Sequence, residues 1–577
     1  MTRLLLAACL ILAGPAPLFA ASFDPAWGRD GMVVTSVRPA AVAGQAVLER
    51  GGNAVDAAVA TAFAAAVAHP FSSGLGGGLF AVTFDAESGE TRALDARETA
   101  PASASAEFYQ QNPDAIREGA HSVGVPGFVQ GVWALHQAYG SLPWKDLIEP
   151  AIELAEQGVE ASIWHNRVVG WVEERLAEFP ETQRIQTVEG KAPPLGWKFV
   201  QADLGKTLRR IQEHGEKALA VGPVAKQIEE ATGGVVTELD LARYAVKWRE
   251  PIRGEYRGYE IVSMPPSSSG GILLVQMLNV LERYDLKAIG KDSGAYVHLL
   301  ASVMKLAFED RAELLGDADF YEVPVARLIS EDYADQQAAR IDPDGQPRPR
   351  SEPKQVPDDA GTTHISVMDR HGNAVALTQT INSVFGSKIT VPGTGIVLNN
   401  ELDDFSVGPE LPNVWEAIGS IANAVAPGKR PLSSMTPTLV LKDGQPRMVV
   451  GSPMGTMIIT AVLHTLVNAI DFGFDAQRAV QAPRFHHQWS PDRLSLEPEF
   501  PQEVRQKLAQ LGHELQDRPF MAAAQLIVFD PEACLFYGGA DGRRDSGAAG
   551  ANIGPVATPS AKPACELTKP KAAAAGQ

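Results

Sequence analysis

Residues 358–382 read DDAGTTHISVMDRHGNAVALTQTIN, and this stretch predicts a β-hairpin. Apolar and polar side chains alternate on both sides of the sequence RHGN, which is a turn signal. If Asp369 faces Asn373, the apolar residues pair across the hairpin and Thr362 lies opposite Thr380. A slip of one residue would set apolar side chains against polar ones on both faces, so this register is favoured.

The favoured register places Thr362, Thr380 and Asn382 next to each other on one face of the hairpin. A threonine at the start of a strand, with hydroxyl and amide neighbours, is what an N-terminal-nucleophile enzyme needs. In such an enzyme the freed α-amine of the threonine acts as the base for its own hydroxyl. Two threonines in a strand are also ordinary β-propensity, so this pair alone does not identify an enzyme.

Seven further motifs follow a fixed order along the chain. They are GGNAVDAA (51–58), SSGLGGG (72–78), DARETAP (95–101), GIVLNNELDDF (395–405), KRPLSSMTPT (429–438), GSPMG (451–455) and APRFHHQ (482–488). Together with the hairpin they closely resemble the gamma-glutamyltransferase (gamma-glutamyltranspeptidase) family, from about Gly31 to about Arg544. The resemblance implies an α+β fold, the αββα four-layer sandwich of N-terminal-nucleophile hydrolases, formed by two intertwined chains.

By this resemblance the precursor cuts itself between Gly361 and Thr362, and Gly361 suits the cut because it has no Cβ to block a strained peptide. A signal peptide 1–20, a large subunit 21–361 and a small subunit 362–577 would result, the two subunits forming a heterodimer. The nucleophile would then take a γ-glutamyl group from glutathione or another γ-glutamyl amide as an ester. Water, or an amino acid or dipeptide acceptor, would resolve that ester.

The resemblance also implies the roles of the other site residues. Thr380 would hydrogen-bond the hydroxyl of Thr362 and hold its rotamer. The positions matching the recognition residues are Arg97, Ser433 and Ser434 for the α-carboxylate of the donor, and Asn382, Glu401 and Asp404 for its α-ammonium. A planar guanidinium with two hydroxyl donors suits a carboxylate. The buried acids need a cation, and we expect the ligand to supply it.

The GSPMG sequence matches the loop whose backbone N–H groups form the oxyanion hole, here at Met454 and Gly455. The family usually has two glycines at these positions. Because a positive φ is costly for methionine, we expect Met454 to keep an ordinary β or α conformation and Gly455 to absorb any unusual torsion. The thioether is expected to point into the acceptor side of the pocket or to pack beneath the loop.

The net charge and the N-terminal segment limit the binding partners and the cellular location that we expect. The formal net charge of −19 over 577 residues argues against nucleic acid and anionic membrane surfaces as partners. Residues 1–20 form a targeting segment with Arg3 ahead of a short apolar run and a small-residue cleavage site. Neither that run nor any later stretch is long enough to form a stable membrane span, so we expect a periplasmic or secreted protein. The Gly/Ala/Pro/Lys-rich tail 545–577 is expected to be disordered.

Two segments near the predicted site look like surface loops. Residues 343–357 form a proline- and charge-rich connector just before the predicted cut, and such a segment is typically exposed. Residues 405–424 match a lid loop that some family members have, and Trp415 stands where an aromatic side chain often gates the pocket. Packing on a long loop is the alternative interpretation of this tryptophan.

Cysteine and histidine usage gives few further sites. Cys9 leaves with the signal peptide, so Cys534 and Cys565 remain, either as a disulfide or as two unpaired thiols. His486 and His487 are adjacent, so on a strand they would face opposite ways and make a poor metal pair. No metal site and no cofactor are predicted.

Two other functions stay open. A related acylase would remove glutaryl side chains, such as those of cephalosporin intermediates. Asp404 and the other ammonium acceptors favour a substrate that carries an amine, because a glutaryl group would leave them unpaired. An exported solute-binding protein for γ-glutamyl peptides would have an inert Thr362. A binding protein does not cut itself, so a denaturing gel separates this alternative from the enzymes.

Overall fold

The computed structural model describes residues 24–346, 361–408, 413 and 417–553. The predicted signal peptide, most of the predicted connector, Trp415 and Cys565 all lie outside these ranges. Cys534 is described, and it is disulfide-bonded. No helix among the described residues has the length and apolar character needed to cross a membrane.

The strands are short to medium in length and occur in both halves of the chain. They are β1 Ala26–Gly28, β2 Gly31–Thr35, β3 Gly78–Phe84, β4 Thr91–Ala96, β5 Val159–Glu160, β6 Lys198–Phe199, β7 Lys247–Arg249, β8 Ile252–Tyr256, β9 Tyr259–Ser263, β10 Thr363–Asp369, β11 Ala374–Thr380, β12 Thr390–Val391, β13 Ile396–Val397, β14 Thr438–Lys442, β15 Gln445–Gly451, β16 Phe485–His486, β17 Leu494–Leu496, β18 Leu515–Asp517, β19 Gln525–Asp530, β20 Leu535–Ala540 and β21 Gly547–Ala551.

The helices fall mainly between β4 and β10 and after β15. They are α1 Arg38–Glu49, α2 Ala54–Ala68, α3 Ala106–Gln111, α4 Phe128–Tyr139, α5 Trp144–Gln157, α6 Ile163–Leu176, α7 Pro180–Gln186, α8 Ala202–His214, α9 Lys217–Ala220, α10 Pro223–Ala231, α11 Glu238–Arg243, α12 Gly270–Leu281, α13 Leu286–Ile289, α14 Gly294–Leu314, α15 Val325–Leu328, α16 Glu331–Ala338, α17 Met457–Ile470, α18 Ala476–Gln481 and α19 Gln502–Gln510. Short 3-10 helices lie at Pro113–Ile116, Ala120–Ser122, Glu401–Asp404 and Ile421–Asn423.

Two antiparallel seven-stranded sheets form the centre of the molecule. The first has the order β21-β2-β10-β11-β3-β4-β7, and the second has the order β1-β20-β19-β15-β14-β9-β8. Each sheet combines strands that precede Gly361 with strands that follow it. A cut at that residue would therefore leave two chains that share both sheets.

The sheets and helices form four layers, as the αββα prediction states. Helices α1, α2, α4 and α5 bury their apolar side chains against the outer face of the first sheet. Helices α12, α14, α17 and α18 cover the second sheet in the same way. A third apolar cluster, from Met32 and Phe80 to Leu439 and Ile527, fills the space between the sheets. Burial of these faces is the main stabilising contribution to such a sandwich.

The hairpin β10–β11 has the register that the alternation predicts. Ile365 pairs with Leu377 and Val367 with Val375, and these side chains belong to the cluster beneath α1 and α2. The opposite face of the hairpin, on which Thr362 lies, turns towards the second sheet. The nucleophile candidate therefore lies between the two sheets.

Helix α2 is rich in alanine and is buried on every side. The side chain of Asn53 accepts a hydrogen bond from the backbone N–H of Asp56, and Asp56 in turn accepts from the backbone of Asn53. This capping box begins the helix at Ala54. The carboxylate of Asp56 also accepts from the backbone N–H of Ser141, which ties the helix to the start of α5.

The prediction that the whole tail from residue 545 is disordered is wrong for its first residues. Strand β21 pairs with β2 along its length at the edge of the first sheet. A Cβ at Gly550 would lie 2.0 Å from the carbonyl oxygen of Trp27, and one at Gly547 would lie 2.6 Å from the Cα of Arg38. The glycines in this segment thus allow close packing, whereas composition alone suggested disorder.

Gly451, at the end of β15, lies against the ring of His364 in the other sheet. A Cβ at this position would come within 2.2 Å of the imidazole. The ring is fixed by hydrogen bonds to Thr378 Oγ1 at 2.8 Å and Ser366 Oγ at 3.1 Å. Burial lowers the pKa of His364 to about 3, so the ring is neutral. This contact sets how closely the two sheets approach beside the site.

We expect Gly451→Ala to destabilise the protein by roughly 1–3 kcal/mol, because the added methyl group overpacks a fixed ring. Gly170→Ala is a matched control. Gly170 is an exposed residue inside α6, where a Cβ would make an ordinary contact of 3.8 Å with the Cβ of Ala192, so alanine there should stabilise the helix by about 0.5–1 kcal/mol. Thermal unfolding should show a lower Tm for the first variant and a Tm that is unchanged or higher for the second. A Gly451→Ala protein with the wild-type Tm would contradict the close contact.

Candidate active site

The Thr362 side chain lies at the start of β10, and its hydroxyl contacts the peptide that precedes it. The hydroxyl donates to the carbonyl oxygen of Gly361 at 2.5 Å, and the Thr380 hydroxyl donates to the same oxygen at 3.0 Å. The two threonine hydroxyl oxygens are 3.2 Å apart. The backbone N–H of Asn382 donates to the Thr380 hydroxyl at 2.8 Å, which orients it. Thr362 and Thr380, the predicted cross-strand pair, therefore both donate to the carbonyl oxygen of Gly361.

Gly361 has no room for a side chain. A Cβ at this residue would lie 2.6 Å from the carbonyl oxygen of Ser383 and 3.0 Å from that of Asn382. Both neighbours are backbone atoms on the segment that follows β11, so they cannot rotate away. Glycine is therefore required by close packing at the residue that precedes Thr362.

A small cavity, with about 20 Å³ of space that a water-sized molecule can occupy, lies beside Thr362. The predicted site residues that line it are Arg97, Thr362, Thr380, Asn382, Glu401, Asp404, Ser433, Ser434 and Gly455. Met435 and Ile458 complete the lining and were not among the predicted residues. The structure thus brings residues from five separate segments of the chain to one small cavity, while their individual roles stay predictions.

Arg97 is buried and pairs directly with two of the acids. Its guanidinium donates to Glu401 and Asp404, and its Nε donates to the carbonyl oxygen of Pro431 at 3.2 Å. Glu98 lies 3.8 Å from the same guanidinium. The expectation that a ligand supplies the cation for Glu401 and Asp404 is therefore wrong in part, since Arg97 already supplies one.

One arginine does not balance this cluster of carboxylates. Burial raises the pKa of Glu98 to about 7, against an opposing attraction by Arg97. Burial also raises the pKa values of Glu401 and Asp404. Both carboxylate oxygens of Glu98 and the Oε2 atom of Glu401 are buried without a hydrogen-bond partner among the described residues. The cavity therefore holds acceptors that a further cation or N–H donor can satisfy.

The serine pair lies on the other side of the cavity. The hydroxyl of Ser434 accepts from the guanidinium of Arg311 at 3.2 Å, and the hydroxyl of Ser433 accepts from the backbone N–H of Met435 at 3.1 Å. Arg311 comes from α14 and is buried, and burial lowers its pKa to about 10. Sequence reasoning missed this arginine because it lies within a long helix whose pattern indicates only core packing.

The conformation predicted for Met454 is wrong, whereas Gly455 adopts an unusual torsion as expected. Met454 has φ = 101°, and Gly455 has φ = 53°, so both residues adopt positive φ. The side chain of Met454 packs beneath the loop against Met457 and Met521, and its sulfur accepts a hydrogen bond from the N–H of Ala522 at 3.1 Å. This packing offsets the torsional cost, which is about 1–3 kcal/mol for such a residue. Gly455 lines the cavity, whereas Met454 does not.

Arg544 is a second arginine that sequence reasoning missed. It is buried, and its Nη1 donates to the backbone carbonyl of Thr362 at 2.9 Å. It follows Arg543 in a glycine-rich stretch that gave no sequence signal. The nucleophile candidate is thus held through its hydroxyl on one side and through its carbonyl on the other.

Comparisons with known proteins agree with this site. The family model described as gamma-glutamyltranspeptidase matches residues 40–551. The chain is 41% identical to the glutathione hydrolase proenzyme of Escherichia coli (strain K12), over 90% of this chain and 92% of the relative. It is 38% identical to the acylase ACY 1 proenzyme of Pseudomonas sp. (strain SE83), over 90% of this chain and 93% of the relative.

A solved structure confirms the fold class. The crystal structure of cephalosporin acylase from Bacillus halodurans matches with a TM-score of 0.82 and 29% identity, and it covers 94% of this chain and 99% of its own. The fold is therefore the N-terminal-nucleophile sandwich implied by the motifs. The family model spans most of the chain, and the residues that carry the resemblance converge on one cavity beside Thr362. The chain belongs to the gamma-glutamyltranspeptidase family.

Proposed function

We propose that this protein is a γ-glutamyltransferase with glutathione hydrolase activity that uses Thr362 as its nucleophile after cutting its own chain. The observation that carries the proposal is the position of the Thr362 hydroxyl. It contacts the carbonyl of the preceding glycine and also borders a cavity that contains an arginine and orphaned carboxylate oxygens. Relatives with 37–41% identity are named glutathione hydrolase proenzymes, which supports the same activity.

Self-cleavage follows from the contacts at Gly361. The Thr362 oxygen attacks the Gly361 carbonyl carbon, the C–N bond breaks, and the nitrogen takes a proton to become the free α-amine. The resulting ester between Gly361 and the Thr362 hydroxyl is hydrolysed by water, which releases the carboxyl terminus of the large subunit. The Thr380 hydroxyl, bonded to the Gly361 oxygen, stabilises the negative charge that develops there. The large subunit 21–361 and the small subunit 362–577 remain together because both contribute strands to each sheet.

Turnover uses the freed amine. The α-amine takes the proton of the Thr362 hydroxyl while its oxygen attacks the γ-carbonyl of the donor. The tetrahedral oxyanion is stabilised by backbone N–H groups at Met454 and Gly455. The leaving amine of the donor then takes the proton, and a γ-glutamyl ester stays on the threonine. Water, or the amine of an amino acid or dipeptide acceptor, attacks that ester and restores the hydroxyl.

The charges of the cavity suit a zwitterionic γ-glutamyl group. Arg97 and the hydroxyls of Ser433 and Ser434 can bind the α-carboxylate. The unpartnered Oε2 of Glu401, with Asp404 beside it, can accept from the α-ammonium. Glu401 and Asp404 then both have donors, which removes the cost of the buried Glu401 acceptor without a partner.

Similarity to acylases makes a glutaryl substrate the main alternative. A glutaryl group has the carboxylate and the scissile amide but lacks the α-amine. It would leave the Oε2 acceptor of Glu401 without a donor, so we propose γ-glutamyl amides as the better donors. Steady-state rates with glutathione, with and without glycylglycine, and with a glutaryl amide measure this preference. Faster turnover of the glutaryl amide would favour the acylase alternative.

We also propose export to the periplasm or the exterior, since residues 1–20 have the charge and apolar pattern of a cleavable signal peptide. Fractionation of cells that express the full chain tests this. Recovery of the protein from the cytoplasm with residues 1–20 still attached would contradict it.

The purified protein should consist of a chain ending at Gly361 and a small chain of 216 residues (577 − 361). N-terminal sequencing of the small chain should give Thr-Thr-His-Ile-Ser. Thr362→Ala should stay uncut and inactive, because it lacks the attacking oxygen. Thr362→Ser keeps the oxygen and should be cut with partial activity. A single uncut chain with full activity would contradict the mechanism and leave a binding protein or another active site as the explanation.

Replacing Asp404 should separate γ-glutamyl from glutaryl donors. Asp404→Asn should lower kcat/KM for glutathione by tens- to thousands-fold, since loss of one charged partner in a desolvated hydrogen bond costs on the order of 2–5 kcal/mol. Rates with a glutaryl amide should fall much less. Asp443→Asn, in an exposed turn, removes the same charge and should leave both unchanged. If kcat/KM for glutathione is unchanged in Asp404→Asn, the ammonium pocket lies elsewhere.

The packing of Met454 predicts how the oxyanion loop responds to substitution. Met454→Gly suits the observed positive φ and should change hydrolysis and transfer by the same factor, because the side chain does not line the cavity. Met454→Ile places a β-branched residue at the same φ and should lower both reactions, by up to the roughly 10²–10³-fold seen on loss of an oxyanion donor. Selective improvement of transfer in Met454→Gly would show instead that the thioether lies on the acceptor side.

A further inference from the structure

Arg544 carries a buried charge that no contacting carboxylate balances. It lies in the turn between β20 and β21, where its Nη1 donates to the carbonyl of Thr362 at 2.9 Å. Its guanidinium carbon is 5.1 Å from the centre of the Trp164 ring. Among the described residues, its Nε and Nη2 have no hydrogen-bond partner, and no carboxylate forms a salt bridge with it.

The two nearest acids are engaged with other groups. Asp541 pairs with Arg484 at 2.7 Å and with Arg543 at 3.1 Å. Asp545 accepts a hydrogen bond from Ser162 and faces the imidazole of His69 at 3.7 Å. Both acids attract Arg544 only at a distance, and burial lowers the pKa of Arg544 to about 10. The guanidinium is still the charged form at neutral pH.

This charge is close to the nitrogen that becomes the α-amine. The nitrogen and the carbonyl oxygen of Thr362 belong to one residue, so standard bond lengths set them about 3 Å apart. Adding the 2.9 Å hydrogen bond places the nearest guanidinium nitrogen within about 6 Å of the amine. A like charge at roughly 4–6 Å disfavours protonation of an amine.

We infer that Arg544 is a positioning residue that keeps the α-amine of the mature Thr362 in its neutral, proton-accepting form through the guanidinium bound to the Thr362 carbonyl. This inference rests on the proposed function, in which that amine is the base. An α-amine ordinarily has a pKa of about 7.7–8.0, so most of it is protonated at neutral pH and cannot take the hydroxyl proton. The nearby positive charge raises the fraction that can.

Other titratable and charged groups near Thr362 do not cancel this effect. The cavity beside Thr362 is lined by Arg97, Glu401 and Asp404, with Glu98 and Arg311 next to them. Asp541 and Asp545 lie near Arg544, His69 and His165 lie near Asp545, and His364 follows Thr362 on β10. Burial lowers the pKa of each of the three histidines, so they are neutral. The cavity acids are paired with or lie beside Arg97 and Arg311. Arg544 is the charged side chain that hydrogen-bonds to Thr362 itself.

The test compares Arg544→Gln, which keeps a donor but removes the charge, with Arg544→Lys, which keeps the charge. Both are made in the full chain, and kcat/KM for glutathione is measured from pH 5 to 10. On the acid side of the wild-type profile, kcat/KM rises with pH as the free amine loses its proton. The midpoint of this acid limb therefore reports the pKa of the amine. We expect this limb to move up by roughly 1–2 pH units in Arg544→Gln, and to stay near the wild-type position in Arg544→Lys. Arg478→Gln, an exposed arginine on α18, controls for loss of one positive charge and should not move it.

Several results would overturn the inference. One is an acid limb that keeps its position in Arg544→Gln while the plateau falls, because that pattern indicates a structural role. Another is an acid limb that moves in Arg544→Lys by the same amount as in Arg544→Gln, because the lysine variant keeps the positive charge. An Arg544→Gln chain that stays uncut would also overturn it. Arg544 would then be needed for self-cleavage, a step that takes place before the α-amine exists. A wild-type chain that is not cut, or that does not turn over glutathione, would instead contradict the proposed function itself.

Discussion

The hydrogen bonds at the Gly361–Thr362 peptide are the contacts on which the rest of the site depends. Thr362 and Thr380 face each other only because the hairpin has one register, and both hydroxyls reach the same carbonyl oxygen. That register is fixed by apolar pairs on the opposite face, which lie beneath α1 and α2. The position of a reactive hydroxyl is thus determined by hydrophobic burial on the other side of the sheet.

Around that carbonyl, the two sheets bring together side chains of opposite charge from distant parts of the sequence. Arg97 follows β4, whereas Glu401 and Asp404 lie in a 3-10 helix about 300 residues later. Because desolvation makes an isolated buried charge costly, the arginine and the carboxylates pair with each other. A few carboxylate oxygens remain without a hydrogen-bond partner among the described residues. A zwitterionic substrate would complement both signs, so the proposed preference for γ-glutamyl over glutaryl groups rests on charge more than on shape.

The sequence predicted the hairpin register, because it depends on the local alternation of apolar and polar residues around Thr362. The four-layer class was implied by the resemblance of the motifs to a known family. Sequence reasoning missed Arg311 and Arg544 as site residues. Arg311 lies in a buried helix and Arg544 in a loop, and only tertiary packing brings them to the site. The torsion of Met454 was mispredicted because burial of its thioether outweighs the local preference for negative φ.

The central claim is that Thr362 carries the γ-glutamyl group during turnover. The most direct measurement mixes the mature protein with glutathione, quenches it in acid within the first turnovers, and maps the small chain by peptide mass spectrometry. We predict a mass increase of one glutamyl residue on the peptide that begins at Thr362, removed by an excess of glycylglycine before the quench. Acylation of any other residue, or continued turnover with that peptide unmodified at every quench time, would contradict the account.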